Sequence, residues 1–355
     1  MTSHDKNNPN SDANIHRTLL LVGDVGGTNA RFSLFDAGVT AGAEPPFAAV
    51  NLSTTEFSDT ESLVRGAHKE LLREAQKTLA SASGSAVEVS AATIAIAGPV
   101  QHGKGRLTNG VLDFTEPQLR DWLGCPVRLV NDFYAVAASI HDDTPVMAVG
   151  TSLPAYADVR AVLGPGTGLG MGYLVPAEGT RAEWQVVASE GGNADFAPVD
   201  ALELELLGIL QRSFAPVSIE TLVSGRGLPN LYAALCELWG APVEHKSAAM
   251  ISDAALAFDA GGGDSLSHKT LELFCAMLGT AAGNFALSVG ARGGVYLAGG
   301  ILPRMQDFFL ASDFRRRFED RGALAEFNQQ IPTFLVLDPE PGLSGALTLA
   351  RRLLP

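Results

Sequence analysis

Two stretches of this chain carry residue types suited to phosphate chemistry. In Leu19-Leu20-Leu21-Val22-Gly23-Asp24-Val25-Gly26-Gly27-Thr28-Asn29-Ala30-Arg31-Phe32-Ser33-Leu34-Phe35-Asp36, an apolar run enters a Gly-rich turn and an alternating run leaves it. That is the pattern of strand, tight turn and strand. Gly26 and Gly27 let backbone N–H groups approach an anion. Thr28 and Asn29 add side-chain donors, and Arg31 adds a fixed cation. Asp24 is the odd member: a carboxylate beside a phosphate cradle repels it unless a divalent cation lies between them. The segment suits Mg2+ with nucleotide phosphates, although an ordinary Gly-Gly hairpin has the same outline.

A second copy lies at Val159-Arg160-Ala161-Val162-Leu163-Gly164-Pro165-Gly166-Thr167-Gly168-Leu169-Gly170-Met171-Gly172-Tyr173-Leu174-Val175. Two such hairpins predict a duplicated architecture with one phosphate loop from each half. Neither fits the P-loop spacing G-x-x-x-x-G-K-[ST], since no Lys follows the glycines. Neither is a dinucleotide fingerprint, because a strand follows each turn.

Asn131-Asp132 follows the short apolar strand Val127-Arg128-Leu129-Val130 and precedes a helical stretch. Open α/β sheets place ligand-binding groups there, and a carboxylate at that point can act as general base toward a hydroxyl. Both residues also cap helices well. Ser189-Glu190-Gly191-Gly192-Asn193-Ala194-Asp195-Phe196 pairs a carboxylate and an amide across two glycines. Such a loop suits a polyol, whose hydroxyls both donate and accept. A plain loop is the alternative. Glu220 starts a helical stretch, where an acid also serves as a dipole partner. Gly293-Gly294-Val295-Tyr296-Leu297-Ala298-Gly299-Gly300 is a strand ending on a Gly pair. Its flat backbone can stack on an adenine ring, or simply make a tight strand–helix turn.

Helices and strands must position these groups. Helical spacing runs over Thr60–Ser81, with Leu63, Ala67, Leu71 and Ala75 on one stripe, and over Glu116–Leu123. Ser81–Ser85 is a loop, and Ala92–Val100 a buried strand ending in a turn. In the second half helices are predicted at about 199–213, 227–239, 247–258 and 267–289, with one beginning near Pro303. Phe334–Leu337 is a last strand, and Gly342–Leu354 a last helix. Strands and helices alternate in both halves, which predicts an α/β class. At 355 residues, the chain exceeds the roughly 250–300 at which single cores split. The expected division is a polar tail at 1–16 without fixed structure, a small domain of 17–142 plus 341–355, and a large domain of 143–340.

A net charge of −14 argues against a nucleic-acid surface. Arg315-Arg316-Arg317, followed by Glu319 and Asp320, reads as a solvated helix face. Three scattered cysteines fit neither a disulfide framework nor a Cys-rich metal site. With no run of about 18 apolar residues and no apolar leader, no membrane association is expected and the cytoplasm is favoured.

Taken in order, Gly23–Arg31, Asn131-Asp132-Phe133, Gly164–Gly170, Glu190-Gly191-Gly192 and Ala298–Pro303 resemble the motifs of the bacterial glucokinases, non-zinc branch, among the hexokinase-like sugar kinases. The resemblance runs from about Leu19 to Leu354. It implies the two-domain actin-like ATPase (ribonuclease H-like) fold, with a cleft between the domains that closes on the sugar. The activity implied is ATP-dependent phosphorylation of glucose at the 6-hydroxyl. Asp132 is similar to the family's general base. Asn109, Asn131, Glu190, Asn193 and Glu220 match its sugar ligands. Asp24 matches the residue near Mg2+, and Gly26, Gly27, Thr28, Asn29, Arg31, Gly166, Thr167 and Gly168 its phosphate loops. Gly299 and Gly300 match the adenosine site. A homodimer is also implied. The chain departs from the family where Asn193 stands in place of His, and where Gly110 and Leu112 follow Thr108-Asn109. A sugar sensor or pseudokinase, and a chaperone-type ATPase, share this fold and are the alternatives.

Overall fold

The computed structural model describes residues 17–38, 45–79, 87–108, 110–151, 156–177, 184–258 and 261–355. The expected tail at 1–16, the loop at 81–85 and Asn109 lie outside the described residues. The chain forms two compact units, one ending at Asp132 and completed by Ala346–Pro355, the other spanning Phe133–Gly345. The expected limits were 142/143 and 340/341; the structure changes unit earlier and returns later.

The first unit holds strands β1 (Arg17–Val25), β2 (Asn29–Asp36), β3 (Ala48–Ser53), β4 (Val87–Ile96), β5 (Val100–Gln101), β6 (Lys104–Arg106), β7 (Asp113–Thr115) and β8 (Val127–Asn131). Its helices are α1 (Thr60–Leu79) and α2 (Glu116–Leu123). The main sheet runs β3-β2-β1-β4-β8. β1 is antiparallel to β2 and parallel to β4, which is parallel to β8. The predicted stripe of α1 is buried at Leu63, Ala67, Leu71 and Ala75 and packs in one core with Leu21, Phe32, Ile94 and Leu129. α2 has the predicted limits because both ends are signalled locally. The Thr115 hydroxyl accepts from the Gln118 amide, and Gly124 closes the helix at φ 69°.

The second unit adds β9 (Val146–Ala148), β10 (Arg160–Pro165), β11 (Leu169–Pro176), β12 (Trp184–Ser189), β13 (Val295–Leu297) and β14 (Thr333–Val336). Its helices are α3 (Asp132–Ala138, entered from the first unit), α4 (Ala201–Leu210), α5 (Gly227–Leu238), α6 (Ala248–Phe258), α7 (Ser265–Val289), α8 (Gln306–Ala311), α9 (Phe314–Glu319), α10 (Ala325–Gln329) and α11 (Pro341–Arg351, leaving for the first unit). The sheet order is β12-β11-β10-β13-β14-β9. β10 is antiparallel to β11 and parallel to β13, which is parallel to β14. The plan of the first unit is therefore repeated, with a hairpin whose first strand begins a parallel run. β10 is buried at every position, as a strand covered on both faces must be.

α7 is long and apolar enough to cross a membrane by length and composition, but 67% of its apolar window is buried within the fold. Leu271, Phe274, Leu278 and Ala282 sit in the core of this unit with Tyr232 and Phe318. It is the central helix of that core, capped by Asp264, which accepts from the Leu266 and Ser267 amides.

The solvated face expected at Arg315–Arg317 is corrected: only Arg316 is exposed. Arg317 is buried and donates to Glu203 Oε1 at 2.7 Å and to Thr280 Oγ1 at 2.8 Å. Glu203 itself is fully buried. Arg315 donates to the Ile331 and Gln329 carbonyls and to Thr333 Oγ1. A short helix carrying three consecutive arginines cannot turn them all outward. Arg315 and Arg316 also pair locally with Glu319 and Asp313, but the partners of the buried Arg317 are too distant in sequence to be read from the run.

Candidate active site

In the first unit, register brings the candidate groups to the carboxyl ends of adjacent strands. Val25 lies beside Ile96, and Ile96 beside Asn131. Across the hairpin Asp24 is paired in register with Arg31. The turn is closed by the Gly26 amide donating to the Asn29 carbonyl at 2.8 Å. Thr28 and Asn29 are exposed at its tip, and Asn29 Nδ2 donates to Thr28 Oγ1 at 3.2 Å. Beneath the tip, the Thr28 carbonyl accepts from the Thr54 amide at 3.0 Å. Asn131 is oriented by donating through Nδ2 to the Gly98 carbonyl at 3.1 Å. Asp132 follows as the first residue of α3, half-buried.

Phe133, the next residue, explains two of the glycines in the second motif. A Cβ at Gly164 would come within 2.5 Å of the Phe133 ring, and one at Gly170 within 2.1 Å. These glycines give the ring a bed on the second hairpin, while Gly166 to Gly168 form the turn itself. The Gly166 amide closes that turn on the Gly168 carbonyl at 2.8 Å.

Leu169, just after the turn, gathers the polar candidates of the second unit. Its amide donates to Glu220 Oε2 at 2.7 Å. A Cβ at Gly192 would come within 2.0 Å of its carbonyl oxygen, so the Glu190–Asn193 loop lies directly on this residue. The loop is tied to the segment carrying Glu220, because the Ile219 amide donates to the Ala194 carbonyl at 2.9 Å and Asp195 bridges Ser218. Glu190 and Asn193 are exposed, and Glu220 is half-buried. Glu220 lies in a single 3-10 turn, Ile219–Thr221, and its carboxylate caps the hairpin, a role its local sequence does not signal.

Gly299 and Gly300 follow β13 just past its carboxyl end. A Cβ at Gly299 would approach the Pro165 carbonyl to 3.1 Å, and its φ of 100° suits glycine. Glu190, Asn193, Glu220, Gly166–Gly168 and Gly299–Gly300 thus meet at one end of the second unit. Asp24, Gly26–Asn29, Arg31, Asn131 and Asp132 share the carboxyl end of the sheet in the first. Among the described residues, no group of three or more His, Cys, Asp or Glu side chains gathers to hold a metal. Asp24 is a hard oxygen donor beside a phosphate-type turn, which suits Mg2+ held by one carboxylate together with phosphate oxygens.

Two units that each run a hairpin into parallel strands, with a Gly/Thr turn at the carboxyl end of each sheet, define an actin-like ATPase of the hexokinase type. The glucokinase family model matches residues 21–353. A glucokinase of Hahella chejuensis is 38% identical over 329 residues, covering 92% of this chain and 95% of that protein. Among solved structures, glucokinase from an Antarctic psychrotroph superposes with a TM-score of 0.77 at 31% identity, covering 94% of this chain and 99% of that one. Glucokinase from Balamuthia mandrillaris in complex with glucose has the same fold, with a TM-score of 0.75 at 22% identity, covering 96% of each chain. The chain belongs to the glucokinase family and is a sugar kinase.

Proposed function

We infer that this chain transfers the γ-phosphoryl group of ATP to the 6-hydroxyl of glucose, giving glucose 6-phosphate and ADP. The observation that carries the reading is the convergence on Leu169. A polyol-type loop with Glu190 and Asn193, a carboxylate from Glu220 and a phosphate-type turn share one residue. A phosphoryl acceptor and donor require just such adjacent sites. Membership of the glucokinase family supports the same substrate.

In this reading Asp132 takes the proton from the sugar 6-hydroxyl as its oxygen attacks the γ-phosphorus. The bond from that phosphorus to the bridging oxygen breaks, ADP leaves, and the proton passes to solvent. Asn131, Glu190, Asn193 and Glu220 hold the other hydroxyls, with Asn109 as a further ligand. The Gly26–Asn29 and Gly166–Gly168 turns and Arg31 hold phosphates, and Gly299-Gly300 lies under the adenine. Asp24 is the residue that would hold Mg2+ brought with ATP, which would neutralise phosphate charge there. The protein's work is alignment and charge stabilisation, the main demands of phosphoryl transfer. A homodimer in the cytoplasm completes the proposal.

The test is ADP release across a panel of hexoses. Glucose is expected to support turnover well above the sugar-free rate. A protein that binds glucose yet releases no ADP with any hexose is a sensor, not a kinase.

Asn193 sets a finer expectation. Its amide is shorter than the histidine ring usual in the family, and one stretched hydrogen bond is worth about 0.5–1.5 kcal/mol. Asn193→His is expected to lower the glucose KM by roughly threefold to tenfold and to sharpen the preference for glucose over mannose. If both stay unchanged, residue 193 does not read the sugar and the loop acts through Glu190.

A further inference from the structure

Every carbonyl of the second turn is engaged by a protein donor. The Gly166 carbonyl accepts from the Gly225 amide at 2.7 Å, and the Gly168 carbonyl from the Gly166 amide at 2.8 Å. The Thr167 carbonyl accepts from Arg226 Nε at 3.2 Å. The donors to residues 166 and 167 both come from the segment that begins with Glu220, whose carboxylate takes the Leu169 amide. The cis peptide of the described residues is at Ala215-Pro216, so the peptides of the turn are trans. In a planar trans peptide the N–H points opposite to the C=O. With the carbonyls of 166 and 167 drawn toward residues 225 and 226, the amides of Thr167 and Gly168 face the other way. Two adjacent amides on one face form an anion-binding concavity.

The two ends of the segment carry opposite charges. Glu220 lies on the Gly168–Leu169 side, where a Cβ at Gly168 would come within 2.4 Å of its Oε2. Arg226 lies on the Thr167 side and is exposed. The anion marks the side suited to hydroxyls, and the cation the side suited to phosphates. Arg226 is the N-cap residue of α5, but its side chain makes no capping bond, so the helix does not need the guanidinium.

We propose that Glu220–Arg226 is a strap that fixes the polarity of the second turn, and that Arg226 is a positioning residue for the phosphates of the nucleotide. It acts by holding the Thr167 carbonyl away from the anion and by placing a positive charge behind the two amides. The proposal rests on the reading of Gly166–Gly168 as a phosphate turn, and the test separates the two. Steady-state KM values for ATP and for glucose are measured for Arg226→Gln, Arg226→Ala, Arg226→Lys and Gly166→Val, with thermal melting as the check on folding. A Cβ at Gly166 meets nothing within 4 Å, so valine there fills the open space beside the turn without displacing the strap.

Arg226→Gln and Arg226→Ala are expected to raise the ATP KM by roughly threefold to tenfold. The glucose KM and kcat should stay within about twofold on the same basis. Arg226→Lys should recover most of the loss, and the gap between Arg and Gln should narrow in ~1 M salt, where charges are screened beyond ~3 Å. A wild-type ATP KM in Arg226→Gln, with Gly166→Val impaired, overturns the strap and leaves the phosphate turn standing. No change in either variant overturns both. A glucose KM that rises in step with that for ATP also overturns the proposal, because it indicates general loosening.

Discussion

Asp132→Asn is expected to bind glucose with near-wild-type affinity and to lose turnover by about 10²–10⁴-fold, the usual contribution of a general base. Asparagine keeps the size and hydrogen-bonding reach of the side chain but cannot take a proton. The position is well supported for such a swap. Asn131 before it is anchored on the Gly98 carbonyl, and Phe133 after it is bedded against Gly164 and Gly170. Glucose binding followed by calorimetry, together with single-turnover phosphorylation at pH 7, separates the two effects. A variant that turns over at the wild-type rate shows that Asp132 is not the base.

The second large effect concerns stability. Glu203→Ala is expected to cost about 3–5 kcal/mol, because it leaves the buried Arg317 guanidinium with only the exposed Asp200 carboxylate, 4.0 Å away, in place of its buried partner. The melting temperature of the second unit should fall by roughly 10 °C. Glu203 also accepts the Val199 amide through Oε2 at 3.0 Å, so the N-terminal turn of α4 loosens as well. Replacing the pair together, Glu203→Leu with Arg317→Met, removes both charges and should recover most of the loss, since apolar residues of similar volume often substitute for a buried pair. A double variant no more stable than Glu203→Ala would show that the loss does not come from the unpaired guanidinium.

Much of the architecture was legible because its signals are local. Each hairpin announces itself as an apolar run, a glycine turn and a second run, and both formed at β1–β2 and β10–β11. α2 carries its own start and stop in Thr115 and Gly124. The short pieces were not legible. β3 and the β5-β6-β7 sheet are strands of two to six residues, too brief to establish a period. The single helix expected near Pro303 is a 3-10 turn followed by α8, α9 and α10, broken at Ser312-Asp313 and at Asp320–Leu324.

The candidate site divides along the same line. The candidate residues are proposed from their types, but what holds them in place was not legible. Glu220 finds its partner 51 residues away at Leu169, and Arg226 finds Thr167 at a separation of 59. Neither pairing leaves a trace in local spacing. Gly164 and Gly170 flank the second turn in sequence without a stated role, and the ring they accommodate belongs to Phe133. The shift of the unit boundary from 142 to 132 has the same cause: Phe133 packs on the second hairpin, which the apolar pattern of α3 alone does not reveal.

The central claim is that this chain phosphorylates the 6-hydroxyl of glucose with ATP. The most direct measurement incubates the purified protein with glucose, ATP and Mg2+, and follows the sugar phosphate by phosphorus NMR while ADP is counted in parallel. The account predicts glucose 6-phosphate as the sole sugar product, formed one for one with ADP. ADP released without any sugar phosphate, or phosphate carried on a different hydroxyl, would contradict it.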